Sequence, residues 1–526
     1  MRRDFLLNLI LQIENFCLKN IRAISILIGF FIVSLFFIRG FLFLDPDFGW
    51  RLRIGKIILA SGIPKTDPFS YTMPSFPYVD HAWLVSTAIG LIYPVGGMFI
   101  LSIVFTLITI LALLTRTLAA KDRNIEKYSL IKGKAWFITS PVFILSASIF
   151  LPYFLVRAQV ITWLILAIVL NIILNSKIYE RFKFFLPLIF VVWVNLHGGF
   201  ISGLTSLFIV IVVKMLRSKK IDIKDLLILF LSGVVTLINP YGLGDWREVI
   251  SSTFDAKLRW SIAEWMPTIT IADFSFAAYI ALSTFFVFRY RKLFSLEEII
   301  LYLFFFIQGI SSRRNFPLWV IVSLPMTIDA ISFFYQEISR GKEKVLRFMK
   351  LYNFFWYISL ILLVIESYTN VWSAFIRRPG RASFYPIKGV AYIRENLPEG
   401  NIFSNYGWGG YLIWQLPEKK VFIDGRMPSW RFNPPNDSES AFAFDEYNKI
   451  RNGEIDYKTS FNKYSIDTVF WPNKVEDFNY FLEEKIRNLK IGFGQDKPRY
   501  DFIETIKKDG WIEVYKDETA LVLKKE

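Results

Sequence analysis

The chain has 526 residues, of which 54% are hydrophobic, 18% aromatic and only 20% charged, and its mean hydropathy is +0.40. This composition excludes an ordinary soluble globular protein, because it is typical of chains with repeated apolar segments of bilayer length. The formal net charge of +16 does not indicate a nucleic-acid binder, since the basic residues lie mainly in short connectors between apolar segments. The single cysteine, Cys17, excludes an intrachain disulfide and a cysteine-based zinc site.

The first 22 residues predict an amphipathic helix on the membrane surface, because apolar side chains from Phe5 to Phe16 recur at helical spacing. No small-residue cleavage site follows the first apolar segment, so no cleavable signal peptide is expected. A transmembrane domain is predicted over 23–375 with about eleven spans, several of them shorter than the roughly 20 residues that cross a bilayer. The spans lie near 23–44, 97–115, 135–151, 159–175, 184–196, 200–216, 226–239, 272–288, 297–311, 316–335 and 354–373.

The distribution of basic residues predicts an N-terminus inside the cell. Segments then assigned to the inner side carry more than twice as many Lys and Arg as those assigned to the outer side. The first outer loop covers 45–96, and its part 82–95 is interpreted as an interfacial helix, because an extra span would place the basic loop 116–134 outside. The arginines of 377–381 oppose this topology, but large domains translocate regardless of charge, and such arginines can bind lipid phosphate. The predicted location is the cytoplasmic (inner) membrane, crossed many times.

From about residue 380 the composition changes to that of a soluble α/β domain, predicted over 380–526 on the outer side of the membrane. Alternating apolar residues predict short strands, and the last two are joined by a tight turn as a hairpin. The predicted strands are 401–405, 420–424, 468–471, 511–515 and 520–523, and the predicted helices are 386–397 and 475–489.

This topology places the unusual polar residues of the chain on the outer face, including both histidines of the protein. Ionisable groups at a membrane edge are costly and therefore indicate function. The candidate site residues are Asp45, Asp47, Asp80, His81, Arg157, His197, Glu264, Arg313 and Arg314.

The acid pair Asp45 and Asp47 has two interpretations. It can be an ordinary solvated turn where the first span leaves the membrane. Alternatively, two carboxylates one residue apart can bind a divalent cation such as Mg²⁺ or Mn²⁺, or one can act as a general base that the other orients. The rest of the site has to decide between these interpretations.

The other candidates also have structural alternatives. Each histidine can cap a helix or bond a carbonyl, although the glycines after His197 would let backbone approach a ligand. Arg313 and Arg314 can anchor headgroups or clamp an anionic phosphate, and Glu264 can be a plain surface acid. The loop 405–410 can pack on the membrane domain or stack against a sugar.

Several short motifs resemble the GT-C superfamily of membrane glycosyltransferases, which includes protein O-mannosyltransferases, lipid A aminoarabinose transferases and oligosaccharyltransferase catalytic subunits. The similarity lies in DPDFGW at 45–50, GIPKTDPFSYT at 62–72 and VDHAWL at 79–84, which look like uncharacterised bacterial members. SNYGWGGYLI at 404–413 with FIDGR at 422–426 is loosely similar to the WWDYG segment of oligosaccharyltransferases, but that motif's aspartate is absent.

The resemblance implies a polytopic α-helical GT-C-like fold with a C-terminal extracytoplasmic α/β domain. It also implies an inverting glycosyltransferase that uses a polyprenyl-phosphate-linked sugar and a glycan, lipid or protein acceptor. Asp47, or its neighbour Asp45, would be the catalytic or metal-binding acid. Arg313 and Arg314, with Arg157, would stabilise the departing phosphate, where negative charge develops.

Two other classes of function remain open at this point. A transporter or flippase of a lipid-linked or anionic solute would need charges in the middle of spans and paired broken helices, whereas here the charges gather at one face. A non-catalytic cell-envelope assembly protein could use the same scaffold. Neither alternative requires that the nine candidate side chains form one site, so their arrangement separates the enzyme from its rivals.

Overall fold

The computed structural model describes residues 21–121, 135–254, 262–268, 274–338, 342–372, 384–473 and 501–525. The predicted amphipathic helix before residue 21, the arginines of 377–381 and the predicted helix 475–489 lie outside these ranges. Up to residue 372 the described longer helices are α1 (Ile21–Leu42), α2 (Phe48–Ser61), α3 (Trp83–Lys121), α4 (Ala135–Phe150), α5 (Gln159–Leu174), α6 (Ser176–Phe182), α7 (Leu186–Leu196), α8 (Phe200–Ser218), α9 (Ile223–Val234), α10 (Leu243–Phe254), α11 (Phe274–Arg289), α12 (Leu296–Ser311), α13 (Phe316–Ile338) and α14 (Lys342–Ser367).

By length and composition, four segments among the described residues can cross a membrane: Trp83–Ala120, Phe200–Ser218, Arg313–Ile338 and Tyr352–Trp372. Gln159–Leu174 and Ser176–Leu196 make a fifth if they form one span, although they meet at an angle of 105°. The chain is thus a multi-pass membrane protein. The count of eleven spans is not confirmed, because several predicted spans correspond to helices that are short or bent, such as Thr139–Tyr153.

Helix α3 changes direction at Gly97, whose backbone has φ 57° and ψ −150°. Glycine reaches this positive φ without steric cost, and Pro94 in the preceding turn removes a backbone donor. The break separates the segment 82–95 from the span that follows it, as the sequence predicted. Whether 82–95 lies in the membrane interface stays a prediction.

The C-terminal part of the chain contains a four-stranded sheet of β1 (Asn401–Ser404), β2 (Ile466–Pro472), β3 (Ile512–Lys516) and β4 (Ala520–Lys524). The strand order is β1-β2-β4-β3, with β1 parallel to β2 and the other pairs antiparallel. The predicted terminal hairpin is therefore present. The helices of this part are α15 (Ile387–Glu395), α16 (Gly409–Gln415), α17 (Ala443–Arg451), α18 (Tyr457–Lys463) and α19 (Phe502–Lys508).

The predicted strand 420–424 is not a regular strand, because its backbone pairs with the first outer loop instead. Val421 forms isolated bridges to Ser70 and Ile402, and the Thr72 hydroxyl donates to the Phe422 carbonyl at 2.7 Å. Aromatic residues of the loop region, including Trp50, share one hydrophobic core with the C-terminal sheet. The first outer loop is thus part of the C-terminal domain in packing, although it precedes that domain by more than 300 residues in sequence.

A buried ion triad joins the two segments. The Arg426 guanidinium donates to Asp67 at 2.7 Å and to Asp424 at 2.6 and 2.8 Å, and all three side chains are almost completely buried. Burial disfavours each charge, so the charges are tolerated because each has a partner with good geometry.

Replacing Arg426 by Met is expected to destabilise the protein by about 3–5 kcal/mol, because it leaves two buried carboxylates without their counter-ion. The measurement is the thermal unfolding midpoint of the full-length protein in detergent. Lys449→Ala is the control, because it removes a solvent-exposed ion pair with Asp445 in the same domain and should leave the midpoint nearly unchanged. Equal midpoints for the two variants would contradict the stabilising role of the triad.

Candidate active site

The acid pair lies in a tight turn between α1 and α2. The Phe48 amide donates to the Asp45 carbonyl at 3.0 Å, and the Asp47 amide donates to Asp45 Oδ1 at 2.9 Å. Trp50 Nε1 donates to Asp47 Oδ1 at 3.0 Å, while the Asp47 side chain does not cap α2. The turn is therefore not a plain capping motif, since its two carboxylates are held by other contacts.

Asp45 is buried and faces a cation. Its Oδ2 lies 3.5 Å from Arg157 Nε, and only 3% of its surface is exposed. Burial raises the pKa of Asp45 to about 6, with Arg157 opposing the rise and Asp47 adding to it. This environment differs from the solvated turn that was the alternative for the pair.

Arg157 connects the acid pair to the loop before α11. Its two terminal nitrogens donate to the two carboxylate oxygens of Glu264 at 2.7 and 2.8 Å, which is a bidentate geometry. Partial burial opposes ionisation of Glu264, but Arg157, with Arg314 and Arg313, outweighs it and lowers the pKa of Glu264 to about 2. Glu264 is therefore a charged partner of Arg157 and not a plain surface acid.

The Arg313–Arg314 turn follows α12 and faces the same region. The Arg313 amide donates to the Met266 carbonyl at 3.0 Å, and the Arg314 guanidinium lies 4.3 Å from the Trp265 ring centroid. Arg313 Nε is buried without a hydrogen-bond partner in the described part of the chain. Two guanidiniums thus face the site without an ion pair among the described residues.

The two histidines lie against each other, with ring centroids 5.6 Å apart. The Gly199 amide donates to His197 Nδ1 at 3.0 Å and the Thr162 hydroxyl lies 2.8 Å from it, which places the ring proton on Nε2. Burial lowers the pKa of His81 to about 4 and that of His197 well below its usual value, and nearby arginines add to both shifts. Both rings are therefore neutral at neutral pH and serve as hydrogen-bonding groups, not as cations.

The glycines after His197 approach protein side chains and not open space. A Cβ added at Gly199 would overlap the Thr162 hydroxyl, and one at Gly198 would lie 2.6 Å from a Val249 methyl. Their close contacts therefore serve packing around His197, which differs from the ligand approach that the sequence suggested.

Both oxygens of the Asp80 carboxylate have partners within the protein. Its carboxylate accepts from the Ala82 amide at 3.0 Å and from the Ser86 hydroxyl at 2.6 Å, and it lies 3.5 Å from Arg51. The predicted substrate contact of Asp80 has no support from this geometry. The Asp80 carboxylate instead fixes the position of the Arg51 guanidinium, which also lies 4.3 Å from the Trp50 ring centroid.

Charges at the remaining candidate positions are close enough to affect one another. Arg157 faces Asp45 and pairs with Glu264, and the neighbouring Trp265 ring lies against Arg314. Arg51, one helical turn after the acid pair, contacts Asp80 beside His81, and His81 lies against His197. Segments far apart in the sequence thus converge: the acid turn, the loop around Glu264, the arginine turn and the two histidine loops. Such a convergence of charged groups makes this region the candidate functional site.

Comparison with solved structures relates the whole chain to one architecture. ArnT from Cupriavidus metallidurans in the apo state matches with a TM-score of 0.54 at 12% identity, covering 96% of this chain and 98% of that one. ArnT bound to undecaprenyl phosphate matches with a TM-score of 0.52 at 13% identity over the same shares. ArnT is a GT-C glycosyltransferase. The chain has the GT-C fold.

Other comparisons add little to this assignment. An oligosaccharyltransferase from Archaeoglobus fulgidus matches with a TM-score of 0.49 at 13% identity, covering 88% of this chain and 71% of that one. No protein-family model matches the chain, and no curated protein matches it in sequence. The two ArnT structures confirm the predicted resemblance to the GT-C superfamily at the level of the fold.

A cation at the predicted metal site of the acid pair would have to share carboxylate oxygens that already have contacts within the protein. Among the residues that the structure describes, no group of three or more His, Cys, Asp and Glu side chains could hold a metal ion. Asp45 already faces a guanidinium, and one oxygen of Asp47 accepts from Trp50. Mg²⁺ can be bound by one or two carboxylates together with substrate phosphate and water, so the divalent cation at Asp45 and Asp47 stays a prediction.

Sequence reasoning did not identify several residues that shape the GT-C site. Arg51 and Trp50 follow the acid pair by one helical turn, so the helical period of DPDFGWR could have indicated them. Gly425, which contacts Asp47, comes from the other end of the chain. Nothing in its local sequence signals that contact.

Proposed function

We propose that the chain is a membrane glycosyltransferase that moves a sugar from a polyprenyl-phosphate-linked donor to an acceptor at the outer face of the cytoplasmic membrane. The acceptor would be a hydroxyl of a glycan, lipid or protein. The observation that carries the proposal is the set of contacts that joins the acid turn to the arginine turn. Arg157 lies 3.5 Å from Asp45 and pairs with Glu264, and the neighbouring Trp265 ring lies 4.3 Å from Arg314, which has no ion-pair partner among the described residues. The ArnT structure with undecaprenyl phosphate supports a lipid phosphate in this fold.

Asp47 and the arginine turn suit the nucleophile and the leaving group of a displacement reaction. Asp47 takes the proton of the acceptor hydroxyl while the hydroxyl oxygen of the acceptor attacks the anomeric carbon of the donor sugar. The bond between that carbon and the phosphate oxygen breaks, and its electron pair leaves with the phosphate. Arg314 and Arg313 face the developing negative charge, where fixed cations lower the barrier most. A single displacement of this kind inverts the anomeric configuration.

The remaining residues have supporting roles in the proposal. Arg157 is occupied by Glu264 and Asp45, so it positions the acid turn more than it binds phosphate. The neutral imidazoles of His81 and His197 offer ring nitrogens to hydroxyls of a sugar. The divalent cation predicted at Asp45 and Asp47 stays a separate proposal, and no step above requires it.

The test separates transfer from transport. Membrane vesicles that contain the protein are incubated with a polyprenyl-phosphate sugar labelled in the lipid, and released polyprenyl phosphate is measured by thin-layer chromatography. A glycosyltransferase releases the lipid phosphate in the presence of a membrane extract that supplies acceptors, and EDTA in a parallel sample tests the cation proposal. Movement of intact lipid-linked sugar between leaflets without release would support a flippase and contradict the proposed function.

A further inference from the structure

The C-terminal domain contacts the acid turn directly through glycines. A Cβ added at Gly425 would lie 2.3 Å from Oδ1 of Asp47, so a side chain at this position would displace that oxygen. The two residues are 378 positions apart by their numbers, and Gly425 lies in the turn after the buried segment 421–424. The same oxygen of Asp47 accepts the hydrogen bond from Trp50 Nε1. One carboxylate oxygen is therefore confined from two sides.

A second contact holds the backbone of the turn. A Cβ at Gly410 would overlap the Pro46 carbonyl oxygen, and a Cβ at Gly49 would overlap the Gly410 carbonyl oxygen. These glycines allow the start of α16 to touch the start of α2 backbone to backbone. In addition, the Tyr385 hydroxyl donates to the Leu44 carbonyl at 3.2 Å, just before Asp45.

The position of Gly425 is itself rigid. Its neighbours Asp424 and Arg426 belong to the buried ion triad with Asp67, in which Arg426 makes four hydrogen bonds to the two carboxylates, one of them from its backbone amide. The Arg426 guanidinium is also 5.8 Å from the ring centroid of Trp50, the residue that donates to Asp47. The turn therefore presents a fixed wall to the Asp47 carboxylate.

We propose that the C-terminal turn 424–426 is a positioning element of the reaction, in which Gly425 holds Oδ1 of Asp47 against Trp50 and leaves Oδ2 for the acceptor hydroxyl. This proposal rests on the proposed function, because it treats Asp47 as the base. It gives the C-terminal domain a direct part in catalysis through packing and assigns a use to the FIDGR segment. Gly425 touches no reacting atom and acts only through Asp47.

The first test measures kinetics with the lipid-release assay on Gly425→Ala. Displacing a reacting group by about 1 Å costs up to roughly 100-fold in rate, so kcat should fall about 10- to 100-fold. KM for the lipid donor should change less than about twofold, because the arginines that face its phosphate do not move. Gly410→Ala, which displaces Pro46, should give the same kcat-specific loss and covers the case in which Gly425→Ala does not fold.

Gly400→Ala is the matched control. Its added Cβ would lie 2.5 Å from the Ser465 carbonyl oxygen and 2.7 Å from Asp467 Cγ, so it strains the same domain by a similar overlap. The atoms nearest to this added Cβ belong to Ser465 and Asp467 and not to the acid turn. Its kcat per folded molecule should stay at the parent value, and an equal loss of kcat in Gly400→Ala and Gly425→Ala would overturn the proposal.

The second test needs no substrate. In a Cys17→Ser background, Asp47→Cys places the only thiol of the chain at the base position, and its rate of labelling by a methanethiosulfonate reagent is measured. Adding Gly425→Ala should raise the rate severalfold, whereas adding Gly400→Ala should not. Equal labelling rates with and without Gly425→Ala would overturn the positioning role of Gly425, even if Asp47→Asn abolishes transfer. Full transfer by Asp47→Asn would refute the proposed function itself, whatever the labelling result.

Discussion

Asp47→Asn is expected to lower the rate of sugar transfer by about 100- to 10,000-fold, which is the range that a general base contributes. The amide keeps the size of the side chain and can still accept from Trp50 Nε1 through its oxygen. It cannot take a proton from the acceptor hydroxyl. Protein amount and thermal stability should therefore stay near the parent values, while release of polyprenyl phosphate is lost.

Two comparisons define the outcome for Asp47. Asp222→Asn is a matched control, because Asp222 also lies just before a helix and its carboxylate accepts from the Lys224 and Asp225 amides of its own turn. Asp45→Asn should be less harmful than Asp47→Asn, because Asp45 contacts Arg157 and the Asp47 amide and so orients the turn. If Asp45→Asn lowers the transfer rate more than Asp47→Asn does, Asp45 is the base and Asp47 is the residue that orients it.

Arg314→Ala is expected to slow transfer by about 100- to 1,000-fold, which is the typical cost of removing one charge-stabilising donor from a transition state. The Arg314 guanidinium is held over Trp265 and makes no ion pair among the described residues, so its charge is available to a phosphate. Arg314→Lys should recover part of the rate, because lysine keeps the charge but not the planar fork that binds two phosphate oxygens. The lipid-release assay measures both variants.

Arg217→Ala serves as the control for the charge change. The Arg217 side chain is 66% exposed and has only a long contact of 3.8 Å to Glu297. Its removal should leave the rate at the parent value. If Arg314→Ala also transfers at the parent rate, the phosphate is bound elsewhere and the assigned role of the arginine turn is wrong.

The fold could be predicted largely from composition and from the spacing of apolar residues, whereas the number of membrane spans could not. Apolar runs and the change of composition near residue 380 indicated a membrane part and a sheet-containing part, and the terminal hairpin followed from alternation. The count of eleven spans is not confirmed, because a hydropathy run does not reveal whether two bent helices, such as Gln159–Leu174 and Ser176–Leu196, form one span or two. The segment 420–424 reads as a strand, but its pairing partner at Ser70 is set by tertiary contacts that no local pattern contains.

Charge at a membrane edge indicated which side chains lie near one another. Contacts that depend on the shape of the packed backbone gave no such signal in the sequence. The Arg157–Glu264 pair joins two predicted residues that are 107 positions apart, and the histidines meet as well. Asp80 was assigned to the substrate because a carboxylate in sequence looks the same whether its partners are ligands or Ser86. Gly425 was missed because a missing side chain carries no chemical signature until its neighbour is known.

The pairing of Thr72 with Phe422 has a consequence for synthesis of the protein. The two residues are separated by 350 positions, so the first outer loop is made long before the segment that completes its hydrogen bonds. Until then, Asp67 has no Arg426, and the acid turn has no wall opposite Asp47. The nascent chain therefore carries Asp45 and Asp47 without their final contacts, and the Asp47 carboxylate reaches its position against Gly425 only when the C-terminal part of the chain folds.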